Sequence, residues 1–286
     1  MRTFLTAPDL YGTWAIVPGV LQGFIERARA GKPVEYAVAA PSTRQEGSIA
    51  VIPIAGIMVQ RASLLGSLLG LAGTDAIAEA VRRAAADSSV RAIVLAIDSP
   101  GGETFGVPEL ADAVYKARGA KPVVAVASSL MASAAYWVGS QASEVVASPS
   151  SMLGSIGVFA MHEDISQLAE SMGVKVTLIS AGRYKTEGNE FEPLSEEAQG
   201  AIQQLVDDTY AMFVGAVARG RGVKAADVRS GMGEGRVVLA QDAVRLGMAD
   251  RIATLPDVLD RLGAAPSGRT ARAQADRAIQ LARAMS

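Results

Sequence analysis

The chain has 286 residues, of which half are hydrophobic and a fifth are charged, a composition typical of a globular protein and not of a disordered one. It has no cysteine and a single histidine, His162, which excludes disulfides, thiol catalysis, cysteine-ligated metals and multi-histidine metal sites. The formal charge of −2 argues against a nucleic-acid partner, and we expect neither a cofactor nor a metal.

The N-terminal region lacks the pattern of a secretory signal or a membrane anchor. Pro8 and Asp9 interrupt the first apolar patch before a hydrophobic segment develops. The most apolar later stretch, residues 50–59, is about half as long as the roughly 20 residues that a membrane-spanning helix needs. We therefore expect a soluble, cytoplasmic protein without a membrane anchor.

Apolar patterns predict strands that alternate with helices along the chain. In chain order they predict a helix over 13–31, a polar linker over 36–47, strand 48–59, helix 74–87, strand 90–98, helix 107–118, strand 122–127, helix 132–142, short strands near 144–147 and 156–160, helix 163–172, strand 174–180, helix 195–219, a strand–helix–strand over 236–252 and a peripheral tail from 266. This alternation favours an α/β fold with a mostly parallel sheet. We divide the chain into an N-terminal helix and linker (1–47), a main domain (48–255) and a C-terminal helical tail (256–286).

Two turns of the predicted sheet could take part in acyl transfer. In "AIDSPGGE", residues 96–103, Gly101 and Gly102 follow a buried strand, where backbone N–H groups could approach a ligand and form half of an oxyanion hole. Ser133 lies at the start of the predicted helix 132–142, beside free N–H groups that would favour a nucleophile. Taken singly, an ordinary strand-to-helix turn and a helix N-cap are the simpler explanations of these residues.

Two further residues could assist such a serine. Lys185 lies in the polar segment 182–194, and a lysine acts as a general base where an apolar cleft keeps it uncharged. Ser155, in "MLGSIGVFA" (152–160), could orient that lysine. Each residue also has an explanation without function: Lys185 could be a solvent-exposed loop lysine, and Ser155 could simply be part of a turn.

The order and spacing of these motifs resemble the signal peptide peptidase A family of serine proteases, which use a Ser–Lys dyad. The motifs are Asp-Ser-Pro-Gly-Gly, Ser133, Gly-Ser-Ile-Gly-Val and Lys185, and "GRVVLAQDAVRLGMADRI" (235–252) is similar to the family's C-terminal signature. The resemblance covers about residues 48–255. It implies a peptidase domain with a Clp protease/crotonase-like fold, built from repeated ββα units.

The same resemblance implies a role for each matching residue. Ser133 would be the nucleophile and Lys185 the general base, with Ser155 positioning the lysine ammonium. The backbone N–H groups of Gly102 and Ala134 would form the oxyanion hole.

The absence of an anchor, the helix over 13–31 and the run from Gly173 to Gln199 resemble the phage branch of the family, the head-maturation proteases. Those proteases digest scaffold and trim capsid proteins inside a procapsid. This implies a scaffold or capsid polypeptide as substrate, in the bacterial cytoplasm or in a procapsid. It also implies a homo-oligomeric ring in which a neighbouring subunit can supply the lysine, with residues 63–73 at an interface or in the substrate groove.

Several alternatives remain open at the level of sequence. His162, twenty-nine residues after Ser133, could belong to a Ser–His–Asp triad, although no acidic partner is identifiable. The protein could degrade signal-peptide-like peptides in the cytoplasm, act as a crotonase-type acyl-CoA enzyme, or be a structural ring protein without activity.

Overall fold

A computed structural model describes residues 12–29, 43–62 and 70–263. The strands are β1 (Trp14–Ile16), β2 (Arg44–Glu46), β3 (Ile49–Ala55), β4 (Ile57–Val59), β5 (Leu71–Gly73), β6 (Ala92–Ser99), β7 (Gly101–Glu103), β8 (Val123–Ala132), β9 (Glu144–Ala147), β10 (Met152–Gly154), β11 (Val237–Leu239) and β12 (Arg251–Ile252). The helices are α1 (Pro18–Arg29), α2 (Thr74–Ala86), α3 (Val107–Ala117), α4 (Ala134–Gly139), α5 (Ser166–Ser171), α6 (Glu196–Arg221), α7 (Ala225–Gly231), α8 (Ala240–Arg245) and α9 (Leu255–Arg261).

The larger of two sheets has the strand order β11-β10-β8-β6-β3-β2, with β9 pairing β8 and β12 pairing β9. Its interior pairs are parallel, and the antiparallel pairs lie at the edges, between β2 and β3 and between β10 and β11. Strand β8 is shared between two neighbours on one side, because its first half pairs with β9 and its last three residues pair with β10. The predicted α/β class with a mostly parallel sheet is confirmed.

The smaller sheet has the order β1-β7-β4-β5, and it grows directly out of the larger one. Strand β4 continues from β3 after Gly56, and β7 continues from β6 after Pro100, so each chain segment turns from one sheet into the other. Gly56 and Gly101 have φ values of 82° and 96°, which glycine adopts without strain. Helix α3 follows β6 and β7 directly, and α2 follows β3 and β4 after the short strand β5, so the chain repeats a strand–strand–helix unit.

The main core lies between the larger sheet and the helices, and it includes every residue of α4 except Gly139. Trp137 of α4 stacks on Phe213 of α6, with ring centroids 4.6 Å apart. Gly220 lets α6 approach closely, because a Cβ at this position would lie 2.2 Å from the carbonyl oxygen of Ser140. These contacts hold the short helix α4, and therefore the turn that precedes it, in one place.

The structure differs from the prediction mainly in where the helices and strands begin and end. The helix expected over 13–31 begins at Pro18, because residues 14–16 form β1. Strand β8 continues to Ala132, so the helix expected over 132–142 starts at Ala134 and is short. Near 156–160 the chain makes a single bridge at Phe159, and the strand lies at 152–154.

Residues 174–180, all within the described part of the chain, form no strand, and the prediction of one was wrong. Their apolar side chains are exposed and no strand lies beside them; Ile179 is 95% exposed. Of the polar linker predicted over 36–47, residues 36–42 lie outside the described residues, whereas residues 44–46 form β2, so that part of the prediction was wrong. Residues 63–69 and the tail from 266 also lie outside the described residues, and the domain limits at 47 and 255 stay a prediction. No helix in the described ranges has the length and hydropathy needed to cross a bilayer.

Candidate active site

Ser133 lies in a one-residue turn between β8, which ends at Ala132, and α4, which begins at Ala134. Its backbone has φ 56° and ψ −121°, a conformation that residues other than glycine rarely adopt and that costs about 1–3 kcal/mol. The turn is held by hydrogen bonds from the Ser133 N–H to the Gly154 carbonyl (2.7 Å) and from the Trp137 N–H to the Ser133 carbonyl (2.9 Å). The fold therefore imposes a strained backbone at this serine.

The hydroxyl of Ser133 is buried and has no hydrogen-bond partner among the described residues. It does not cap α4, since no side-chain cap bond is made there. An unsatisfied buried hydroxyl costs about 1–3 kcal/mol. Such costs are typical of groups kept for a chemical role, and the N-cap interpretation left open by the sequence does not apply.

The glycine turn of β7 packs directly against Ser133. A Cβ built on Gly101 would lie 2.1 Å from the Ala15 carbonyl oxygen, 2.9 Å from the Ser133 Cβ and 3.0 Å from the Ala134 nitrogen. A Cβ on Gly102 would lie 1.8 Å from the Met58 carbonyl oxygen in β4. Both glycines are therefore required by close backbone approach.

Backbone N–H groups also meet at this turn. Ala134 is the first residue of α4, and the N–H groups of a first helical turn have no partner inside the helix. The structure thus brings Gly102, Ser133 and Ala134, the three residues expected to supply the nucleophile and the oxyanion hole, into one region.

The register between strands β8 and β10 places Ser155 beside Ser133. Gly154 of β10 pairs with Ala132 of β8, so the residues that follow them, Ser155 and Ser133, leave neighbouring parallel strands together. Ser155 also has a positive φ, 53°, and its N–H donates to the Arg236 carbonyl at 2.8 Å. Its side chain is 7% exposed, which suits a group that orients another at a buried site.

Lys185 is not brought to Ser133 within one chain. It is exposed, in a turn where its N–H donates to the Gly182 carbonyl (3.2 Å). The loop is tied to α6 by Arg183 and Tyr184, which both bond to the Glu197 carboxylate at 3.0 Å. Since the Ser133 hydroxyl has no partner in the described ranges, no dyad forms inside the single chain.

His162 does not form a triad with Ser133 either. Its Nε2 lies 3.1 Å from the Asn189 carbonyl oxygen, and the Ser133 hydroxyl has no hydrogen bond to any described residue. In the ranges that the structure covers, no group of three or more histidine and acidic side chains is arranged to hold a metal ion.

Strand β1 is the feature next to the site that sequence reasoning missed. It pairs antiparallel with β7, with Ala15 opposite Gly102, whereas the sequence pattern predicted a helix there. The only available signal was the triplet Trp14–Ile16 ahead of Pro18, which is too short for a convincing alternation.

Comparison with known proteins identifies the family. Residues 116–266 match the model of Peptidase family S49. The chain is 35% identical to Head-tail preconnector protein GP5 of Enterobacteria phage P21 (78% of this chain, 44% of the relative) and 32% identical to Capsid assembly protease C of Escherichia phage lambda (78% and 51%). It is also 30% identical to Putative protease slr0021 of Synechocystis sp. (64% and 69%).

The chain spans about half the length of the two phage relatives. The family match covers about half of the chain, including Ser133, Ser155 and Lys185. The resemblance drawn from the motifs is confirmed: this chain belongs to peptidase family S49.

Proposed function

We propose that this protein is a serine endopeptidase that cleaves polypeptides through an acyl-enzyme on Ser133. The observation that carries the proposal is the buried, unpaired hydroxyl of Ser133 on a strained turn, against Gly101 and the backbone nitrogen of Ala134, the first residue of α4. An acyl-CoA hydratase of the crotonase type has no need of such a serine, and these contacts favour nucleophilic chemistry.

In the proposed reaction the Ser133 Oγ attacks the carbonyl carbon of the scissile bond. The N–H groups of Gly102 and Ala134 stabilise the negative charge that develops on the carbonyl oxygen. Lys185 accepts the serine proton and passes it to the leaving amine, while Ser155 orients the lysine. Water then hydrolyses the ester and regenerates the serine.

We further propose that Lys185 acts on Ser133 of a neighbouring copy in a homo-oligomeric ring. Its surroundings support this assignment, because the loop next to it exposes apolar side chains that a monomer would leave in water. They are Leu168, Met172, Val174, Val176, Leu178 and Ile179. A second copy packed on this surface would exclude water and favour the uncharged amine that a general base requires.

The substrate is proposed to be a phage scaffold or capsid protein, processed in the bacterial cytoplasm or in a procapsid. Two relatives carry names from phage assembly, capsid assembly protease and head-tail preconnector, which supports this choice over signal-peptide-like peptides. The proposed domain division assigns residues 48–255 to the peptidase and leaves 1–47 and 256–286 as flanking segments.

The direct test compares Ser133→Ala with Ser128→Ala, an exposed serine on the same strand. Wild type and Ser128→Ala should react with a fluorophosphonate and cut casein, because the nucleophile is intact in both. Ser133→Ala should do neither while keeping the same circular dichroism and oligomeric state. A wild-type oligomer that neither reacts nor cuts would instead favour a structural ring protein without activity.

A further inference from the structure

Strand β1 lies between two backbone segments that border Ser133. On one edge Trp14–Ile16 pair antiparallel with Gly101–Glu103 of β7. On the other edge Trp14 exchanges two hydrogen bonds with Phe159, at 2.8 Å from the Trp14 N–H and 3.0 Å from the Phe159 N–H. A three-residue strand is thus held on both sides, as an extended peptide would be in a binding groove.

The carbonyl group of Ala15 lies at the candidate oxyanion hole. Ladder bonds join Val17 to Pro100 and Thr104 to Thr13, and antiparallel ladders place their bonded pairs at every second residue. The intervening bonded pair is therefore Ala15 with Gly102, the residue whose N–H we assign to the oxyanion hole. The Ala15 carbonyl oxygen also lies near Ser133. A Cβ built on Gly101 would be 2.1 Å from this oxygen, 2.9 Å from the Ser133 Cβ and 3.0 Å from the Ala134 nitrogen, so the three atoms surround the same point.

The side chains of β1 alternate in the way a bound peptide would present them. Ala15 is 0% exposed and belongs to the main core cluster, which also contains Ala134 and Ala135. Trp14 and Ile16 pack on the opposite side, in a separate cluster with Ile57 of β4. The position next to the reactive serine therefore holds a small side chain, and the flanking positions hold large apolar ones.

The anchoring of β1 is not complete. The indole N–H of Trp14 is buried and has no hydrogen-bond partner within the described residues. An unsatisfied buried donor weakens the packing that holds the strand, which makes its displacement by another peptide easier.

We infer that β1 is a pseudosubstrate: it fills the groove in which a polypeptide substrate binds, with Ala15 at the residue whose carbonyl the serine attacks. The inference rests on the proposed function and adds the substrate class. The groove takes an extended segment with a small residue at the attacked position and large apolar residues on either side. Other polypeptides must displace β1 before they reach Ser133.

The experiment measures the rate at which a fluorophosphonate labels Ser133 in the full-length, assembled protein. Ala15→Arg should dislodge β1, since a long charged side chain does not fit a fully buried position. If the groove is open in a tenth of the molecules or fewer, labelling should become about tenfold faster or more. The matched control is Gly19→Ala, where an added Cβ contacts nothing within 4 Å and labelling should match the wild type.

A second experiment adds a free peptide with the sequence of β1, which should block the groove again. The hexapeptide Gly-Thr-Trp-Ala-Ile-Val, the sequence of residues 12–17, should slow labelling of Ala15→Arg, and the same peptide with arginine in place of alanine should not. Trp14→Ala, a milder change, covers the case in which Ala15→Arg fails to fold, as judged by circular dichroism and thermal unfolding.

Each outcome separates the inference from the proposed function. Faster labelling of the folded variants, or a cut at Ala15–Ile16 that appears in wild type but not in Ser133→Ala, supports the pseudosubstrate. Equal labelling of wild type and both folded variants, within twofold, overturns it and leaves the peptidase assignment intact. If no variant is labelled at all, the proposed function fails and the pseudosubstrate fails with it.

Discussion

Strained backbone conformations cluster at the candidate active site. Of the described residues other than glycine, three have positive φ, and two of these are Ser133 and Ser155. Each such conformation costs about 1–3 kcal/mol, which a fold tolerates where the position has a role besides stability. Both serines leave adjacent parallel strands in register, so the same sheet geometry imposes the strain on both.

Ser155→Gly should separate the backbone role of Ser155 from that of its hydroxyl. Glycine relieves the positive φ, so Ser155→Gly should be more stable than Ser155→Ala by about 1 kcal/mol in urea unfolding. Both variants should lose most peptidase activity, because both lack the hydroxyl to which we assign the orientation of the lysine. Activity in Ser155→Gly equal to that of the wild type would contradict the assigned role.

The sequence was informative about residue identities at the site but not about their conformation. The resemblance implied that Gly102, Ser133, Ala134 and Ser155 act together, and the structure places them where neighbouring strands end. Serine carries no sequence signal for positive φ, and an N-cap and a strained nucleophile have the same neighbours in sequence. The backbone conformation of Ser133 and its unpaired hydroxyl distinguish them in the structure.

At the scale of elements, the long regular helices and the short strand at 144–147 were predictable, but the short strand β1 was not. Helix α6 has Ser195 as a capping residue, whose side chain accepts a hydrogen bond from the Ala198 N–H, and a long pattern behind it. Strand β1 has only three residues, and neither its pairing with β7 nor its bridge to Phe159 follows from local periodicity. Both partners lie far away in sequence.

A cluster of polar contacts joins the C-terminal end of α6 to the larger sheet. Arg221 donates two hydrogen bonds to the Asp250 carboxylate (2.6 and 3.0 Å), and the Val145 N–H donates a third (2.7 Å). Burial by itself would raise the pKa of Asp250, but these hydrogen bonds and the charge of Arg221 outweigh it and hold the pKa below its ordinary value. Arg221 is nearly buried, so the pair fixes where α6 ends.

Asp250→Asn should therefore reduce stability in a pH-dependent way. The folded pKa is lowered, so the carboxylate stabilises the fold above its unfolded pKa of about 3.9, and this stabilisation is lost as the pH falls from there through the lower folded value. Because the Asp250 side chain is 41% exposed, we expect a loss of only about 1 kcal/mol at pH 7. Unfolding in urea at pH 7 and pH 3 measures this, and the difference from wild type should shrink at pH 3.

The control for that experiment is Asp242→Asn, which breaks an exposed pair with Arg245 and should change stability by less than about 0.5 kcal/mol. A difference between Asp250→Asn and wild type that is the same at both pH values would mean that the carboxylate charge is not the cause.

For the molecule as a whole, the decisive question is which copy supplies the base. Lys185 and the apolar side chains near it are exposed in the single chain. In the proposed ring a neighbouring copy would cover these apolar side chains and bring its Ser133 to the lysine. The sequence could not determine this, because no pattern within one chain records the face that packs on another copy. The strand predicted over 174–180 was wrong because its apolar residues pair with no other strand among the described residues.

Mixing two inactive variants tests the shared site. Neither Ser133→Ala nor Lys185→Ala should cut casein alone. If they exchange subunits in a head-to-tail ring, about a quarter of the sites in an equal mixture pair an intact serine with an intact lysine from the next subunit, and activity should return to about that fraction of wild type. No recovery after verified subunit exchange would place serine and lysine in the same chain.

The mixing control replaces Ser133→Ala by the double variant Ser133→Ala/Lys185→Ala, which can supply no lysine. That mixture should stay inactive at every ratio. Recovery with the double variant would contradict a shared site.

The strained turn at Ser133 also bears on how such a chain changes over generations. Glycine would satisfy the backbone at 133 and 155 better than serine does, so with the roles proposed above the two hydroxyls would persist only while cleavage is under selection. Once proteolysis is no longer under selection, random drift and selection for stability would both favour glycine at these two positions. Descendants that keep this fold but have abandoned its chemistry would carry glycine in the two turns, within an otherwise unchanged sheet.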